Sequence, residues 1–117
     1  MATRMPVEIE ILQAMVLSIE GEVDLNECDR IEAMFDTFFK LGVNRWLVDL
    51  RGASYLDSEG VKLLYRCFSK VVEKEGRVAI ICCQDGIAAK VLTITGMRRE
   101  VCCFHDAVEA INFVNLN

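Results

Sequence analysis

Two runs, Trp46-Leu47-Val48-Asp49-Leu50 and Val78-Ala79-Ile80-Ile81-Cys82-Cys83, carry apolar residues at odd and even positions alike. A strand with one wet face alternates apolar and polar residues. A strand apolar on both faces belongs in the middle of a sheet covered on both sides, the habit of parallel sheets. Each run is followed by residues at helical spacing. After the first, Val61, Leu64, Phe68 and Val71 form the buried stripe of a helix that begins near Ser58 and ends at Gly76. After the second, Ile87, Val91, Leu92 and Ile94 make a short helix closed near Gly96. Val101 to Phe104 then reads as a strand, and Val108, Ile111 and Val114 as the stripe of a last amphipathic helix.

Upstream, Val7, Ile9 and Ile11 alternate with Glu8 and Glu10, and Leu17, Ile19 and Val23 alternate with Ser18, Glu20 and Glu22. These are two half-exposed strands joined by a tight link near Gln13, which suggests a hairpin. Cys28, Ile31, Phe35 and Phe38, with Met34 and Leu41 beside them, follow at helical spacing as far as Gly42. Asp24 or Asn26 stands where that helix needs a cap. The order β-β-α-β-α-β-α-β-α predicts one α/β domain over residues 1–117. Its sheet is mixed but mostly parallel, with four to five strands, an antiparallel first strand and about four flanking helices.

Composition removes several functions. The longest apolar run has six residues, Val78 to Cys83, against about 18 for a spanning helix, so no membrane insertion is expected. No apolar signal segment follows the N-terminal Met-Ala-Thr-Arg-Met-Pro, so a cytoplasmic protein is expected. The net charge of −5 argues against direct nucleic-acid binding, which draws its affinity from neutralised phosphates. Residues 1–36 hold nine acids and two bases, which suits either a solvated surface or a basic protein partner.

The six cysteines lie inside helical patterns (Cys28, Cys67) or strand-like runs (Cys82, Cys83, Cys102, Cys103), with no CxxC spacing. They read as reduced core residues rather than a disulfide framework or a metal site. One histidine, His105, is expected near a strand end at the start of the last helix. With no GxSxG, HExxH, Walker loop or GxGxxG after a strand, catalysis by this chain and a bound cofactor are not expected.

The informative segment runs from Asp49 to Gly60, where a buried strand enters a loop and the loop ends at a helix whose first turn carries Asp57-Ser58-Glu59-Gly60. Asp57 or Ser58 suits a helix N-cap. Ser58 also presents a hydroxyl at the positive end of a helix, where a phosphate is electrostatically tolerated. On the same helix Lys62, Arg66, Lys70 and Lys74 recur every four residues, either a solvated face or a docking ridge for an acidic partner.

Leu56-Asp57-Ser58-Glu59-Gly60-Val61-x-Leu63-Leu64, with the strand and loop before it, resembles the signature of the STAS domain, as in bacterial anti-sigma factor antagonists. Leu17 to Asp24, ending in Gly-Glu-Val-Asp, resembles that family's second strand. Leu92-Thr-Ile-Thr-Gly96 followed by Val101 to Phe104 resembles its last helix-strand passage. The resemblance implies partner switching. Such a domain binds an anti-sigma factor, a serine kinase of the histidine-kinase-like ATPase fold, and frees a sigma factor. The kinase phosphorylates the serine after the motif aspartate, here Ser58 after Asp57, and a metal-dependent serine phosphatase reverses the mark. Asp24 matches an acidic residue near that serine, and the partner-binding face is expected at Asp24, Asp57, Ser58, Glu59, Gly60, Lys62 and Arg66. One position departs from the pattern: the family usually has Ser or Thr after the phosphorylated serine, and this chain has Glu59, whose carboxylate repels a phosphate on Ser58. The alternatives are a STAS scaffold subunit of a lipid-transport or stress-signalling assembly, without phosphorylation, and a small-ligand or nucleotide-binding domain using the loop before Ser58.

Overall fold

A computed structural model of the chain describes residues 14–82 and 100–116. Strands β1 (Met15–Ser18) and β2 (Gly21–Val23) lead into helix α1 (Leu25–Lys40). Strands β3 (Arg45–Asp49) and β4 (Ala53–Leu56) lead in the same way into α2 (Ser58–Glu73), and β5 (Arg77–Ile81), β6 (Val101–Phe104) and α3 (Ala107–Val114) complete the described elements. The main sheet has the order β1-β3-β5-β6, and every neighbouring pair is parallel.

The double-sided apolar runs are explained by the two layers they separate. Trp46, Val48 and Leu50, with Val78, Ile80 and Cys82, join the buried cluster formed with Ile31 and Phe35 of α1 and Leu64, Phe68 and Val71 of α2. The intervening Leu47, Ala79 and Ile81 point the other way and pack with Ala110 and Val114 of α3. The Phe35 and Trp46 rings lie 4.7 Å apart between their centres, fastening α1 to the sheet.

Three expectations need correction. Leu17 to Val23 is not one strand. The chain pairs with β3 through Ser18, bends at Ile19-Glu20, and continues as β2 in a separate two-stranded sheet with β4. Ala53–Leu56, expected within a loop, is that partner strand; its pattern of buried Ala53 and Leu56 around exposed Ser54 and Tyr55 breaks strict alternation. Pairing skips from Gly21 opposite Ala53 to Glu22 opposite Tyr55, a bulge that leaves Ser54 over, and Gly21 supplies the positive φ of 76° at the bend. Finally, α3 buries Ala110 and Val114, while Val108 is 62% exposed and Ile111 is also exposed, so its inward face is rotated from the expected stripe. Three helices are described. The strand around residues 7–11, its link near Gln13 and the helix around residues 87–94 lie outside the described residues.

Helix ends follow the sequence with one refinement. Gly42, with φ of 98°, ends the turn after α1 as expected. After α2, however, it is Glu75 that takes the left-handed conformation, with φ of 60°, whereas Gly76 is required for another reason: a Cβ there would run into the backbone carbonyl of Asn44. The last turn of α3 has no basic residue of its own, and the strands supply the missing donors. Arg45 Nη1 donates to the carbonyls of Val114 and Leu116, at 2.6 and 2.7 Å, and Arg77 Nη1 donates to that of Phe113 at 3.2 Å.

Candidate functional site

The small β2–β4 sheet sets the geometry of the site. Val23 lies opposite Leu56 in a parallel pair, so the next residues, Asp24 and Asp57, leave the sheet side by side. Each caps the helix that follows. Asp24 Oδ1 accepts from the Glu27 amide and Asp57 Oδ1 from the Gly60 amide, both at 2.9 Å. Two helix N-termini therefore stand next to each other at the edge where the strands end, and their dipoles point positive ends the same way.

Ser58 is the first residue of α2 and is exposed. Leu25 holds the equivalent place on α1 and is 67% exposed, and Tyr55, two residues before the Asp57 cap, is also exposed. Gly60 is buried beneath the first turn: a Cβ there would come within 2.5 Å of Leu56 Cδ1 and 3.4 Å of Val23 Cγ1. The glycine thus lets α2 start directly on the two strand ends, which fixes the height of Ser58 above them.

The charge around this edge is mostly negative. Cys28, buried in the first turns of α1, has its thiol pushed up from the usual range by burial first and then by the carboxylates of Asp57, Asp29, Glu59 and Asp24. One thiol thus feels carboxylates from both helices, Asp24 and Asp29 on α1 and Asp57 and Glu59 on α2. The cation nearest along α2 is Lys62, whose Nζ lies 3.8 Å from Glu59 Oε1, with both side chains largely in solvent. Arg66 is a turn further on and lies 3.5 Å from Glu32 of α1; Lys70, beyond it, lies 3.2 Å from Asp36. The regular basic ridge is therefore, in its middle, one half of an interhelical ladder whose acids come from α1.

Of the residues singled out from sequence, Asp24, Asp57, Ser58, Glu59, Gly60 and Lys62 lie at or beside the paired helix starts, and Arg66 is turned toward α1. Leu25, Tyr55 and Cys28 were missed as parts of this edge. The repeated signal that marks it is an apolar strand end followed by aspartate, at Val23-Asp24 and again at Leu56-Asp57. Among the described residues no group of three or more His, Cys, Asp or Glu is placed to hold a metal ion, and no helix is long and apolar enough to cross a membrane.

Of the remaining cysteines, Cys67 and Cys82 are buried as expected, Cys102 and Cys103 are only half-buried because β6 is the last strand of the described sheet, and Cys83 lies outside the described residues. Burial pushes the thiols of Cys67 and Cys103 up to about 12, with hydrogen bonding to Cys82 adding to the effect at Cys103. His105 is exposed between β6 and Asp106, the cap of α3, as expected.

Comparison with known proteins gives a consistent result. The STAS domain family model matches residues 6–110. A comparison with curated proteins finds no match. Among solved structures, TM1081 of Thermotoga maritima, a candidate anti-sigma factor antagonist, is similar with a TM-score of 0.77 at 19% identity, over 90% of each chain. The anti-sigma factor antagonist SpoIIAA in its unphosphorylated form has a TM-score of 0.68 at 22% identity, over 96% of this chain and 91% of that one. The Bacillus cell fate determinant SpoIIAA in its phosphorylated form also has a TM-score of 0.68, at 23% identity, over 86% of this chain and 89% of that one.

Proposed function

The chain belongs to the STAS domain family, and from that premise we propose that it is an anti-sigma factor antagonist that binds an anti-sigma factor serine kinase and is released when Ser58 is phosphorylated. The observation that carries this reading is the placement of Ser58: an exposed hydroxyl at the first position of α2, beside a second helix start and held at a fixed height by Asp57 and Gly60. A kinase can reach that hydroxyl without unfolding anything. The structural likeness to SpoIIAA in unphosphorylated and phosphorylated forms supports the same reading.

The switch needs only local chemistry. An unphosphorylated edge offers a partner two apolar contacts, Leu25 and Tyr55, and a hydroxyl. A phosphate adds about −1.5 to −2 charge and three acceptor oxygens. The helix start tolerates that charge, but a partner packed on the hydroxyl must then accommodate a dianion beside Asp24, Asp57 and Glu59. Such a protein works in the cytoplasm with a kinase and a metal-dependent serine phosphatase and performs no catalysis itself. Incubation with the anti-sigma kinase and ATP, followed by peptide mapping, tests the assignment: phosphate on Ser58 is expected, and phosphate only on Ser54, Ser69 or a threonine overturns it.

One observation favours a second reading. Glu59 places a permanent carboxylate next to Ser58, which suits a STAS scaffold subunit that is never phosphorylated. In that case Ser58→Asp and wild type bind the same partners equally.

A further inference from the structure

The acids around Ser58 raise the question of what balances a phosphate there. On a helix, residues advance by about 100° each, so Lys62 lies about 40° from Ser58 in projection and Glu59 about 100° from it. Lys62 thus stands between the two, one turn further along. Side chains on a helix lean toward its N-terminus, so a long side chain at position 62 lies back over the first turn rather than away from it. The structure shows that direction, because Lys62 Nζ already reaches the level of Glu59, at 3.8 Å. That separation is long for an ion pair, and the lysine side chain is 66% exposed, so little holds the ammonium on Glu59. The next cations of α2 are turned toward α1, Arg66 3.5 Å from Glu32 and Lys70 3.2 Å from Asp36. On α1, Arg30 donates to Glu27 at 2.9 Å.

Building on the reading of Ser58 as a phosphorylation site, we infer that Lys62 is the intramolecular counter-ion of the Ser58 phosphate, swinging from Glu59 to the phosphoryl oxygens when the mark is added. The pairing has the favourable four-residue spacing, with the anion on the N-terminal side. The same lysine also offsets the charge of Glu59, 3.8 Å away, which competes with the phosphate for it. The charged groups at these two helix starts are Asp24 on α1, and Asp57 and Glu59 on α2, with Lys62 one turn further along α2. Lys62 is a positioning residue for the phosphorylated state, not a catalytic one.

The test uses the full chain with phosphoserine inserted genetically at position 58, so that it does not depend on any kinase. The second titration of the phosphate is followed by phosphorus NMR. A cation at hydrogen-bond distance favours the dianion and lowers the midpoint. The expected result is that Lys62→Gln raises the midpoint by about 0.3 pH unit, that Lys62→Arg leaves it near wild type, and that the difference shrinks in 1 M salt. Equal midpoints in wild type and Lys62→Gln overturn the inference, since a purely structural role for Lys62 does not touch the phosphate's titration. Failure of the kinase to label Ser58 bears on the proposed function and leaves this measurement intact.

Discussion

Asp57 carries two roles that one pair of substitutions separates. As a cap, its Oδ1 accepts from the Gly60 amide at 2.9 Å, and Gly60 is buried. In Asp57→Ala that amide keeps its place under the first turn and loses its acceptor, which costs about 1 to 2 kcal/mol. Asp24 makes the equivalent bond to Glu27 at 2.9 Å at a more exposed position, where water replaces the lost acceptor, so Asp24→Ala costs about 0.5 to 1 kcal/mol. Asparagine caps as well as aspartate does, so Asp57→Asn keeps the bond and forgoes only the charge at the helix start, a loss of a few tenths of a kcal/mol, up to about 1. Urea denaturation followed by circular dichroism measures all three, and a loss of 1 kcal/mol lowers the melting temperature by about 4 °C in a domain of this size. The ranking expected is Asp57→Ala below Asp24→Ala, with Asp57→Asn the most stable of the three. If Asp57→Ala melts like wild type, or Asp57→Asn falls as far as Asp57→Ala, the cap does not hold the start of α2. Since the asparagine variant keeps the fold, any change it makes in partner binding reports the charge of the edge rather than its shape.

Other consequences follow from single contacts. Gly76→Ala drives a methyl group into the Asn44 carbonyl, which is backbone and cannot turn aside, and is expected to cost about 2 kcal/mol by urea denaturation despite the glycine's ordinary φ. The Arg51 side chain, donating to both oxygens of Asp49, holds that carboxyl below its usual range, so its contribution to stability is present above about pH 4 and lost as pH falls through the lower folded value. Arg51→Gln is therefore expected to melt below wild type at pH 6, with the gap closing in acid; a gap independent of pH contradicts it. The thiols of Cys67 and Cys103, both pushed up to about 12, hold almost no thiolate at pH 8. A colorimetric thiol reagent should react slowly with them in the native protein and rapidly in urea.

The main sheet was legible in the sequence because its central strands, β3 and β5, are buried on both faces, a pattern that a lone run of side chains can show. The two long helices were legible from their stripes and from Asp24, Asp57 and Gly42. The β2–β4 sheet was not, for a physical reason. It is short, half in water and bulged at Ser54, so Ala53–Leu56 shows neither alternation nor a continuous apolar run. The orientation of α3 was missed because its inward face uses Ala110, which periodicity weighs less than the larger Val108 and Ile111. At the site, Ser58 and its capping aspartate came from the motif. The side-by-side placement of Asp24 and Asp57 depends on the Val23–Leu56 register, and the ladder linking Arg66 and Lys70 to α1 depends on helix packing. Neither is written in local sequence.

The central claim is that a phosphate on Ser58 releases the partner while the fold stays as it is. Titrating the anti-sigma kinase with the unmodified chain, with the chain carrying phosphoserine at position 58, and with Ser58→Ala measures it directly. Wild type and Ser58→Ala are expected to bind alike, and the phosphorylated chain about 100-fold or more weaker, corresponding to about 3 kcal/mol, with an unchanged circular dichroism spectrum. Equal affinity of all three chains contradicts the account and makes the domain a constitutive scaffold.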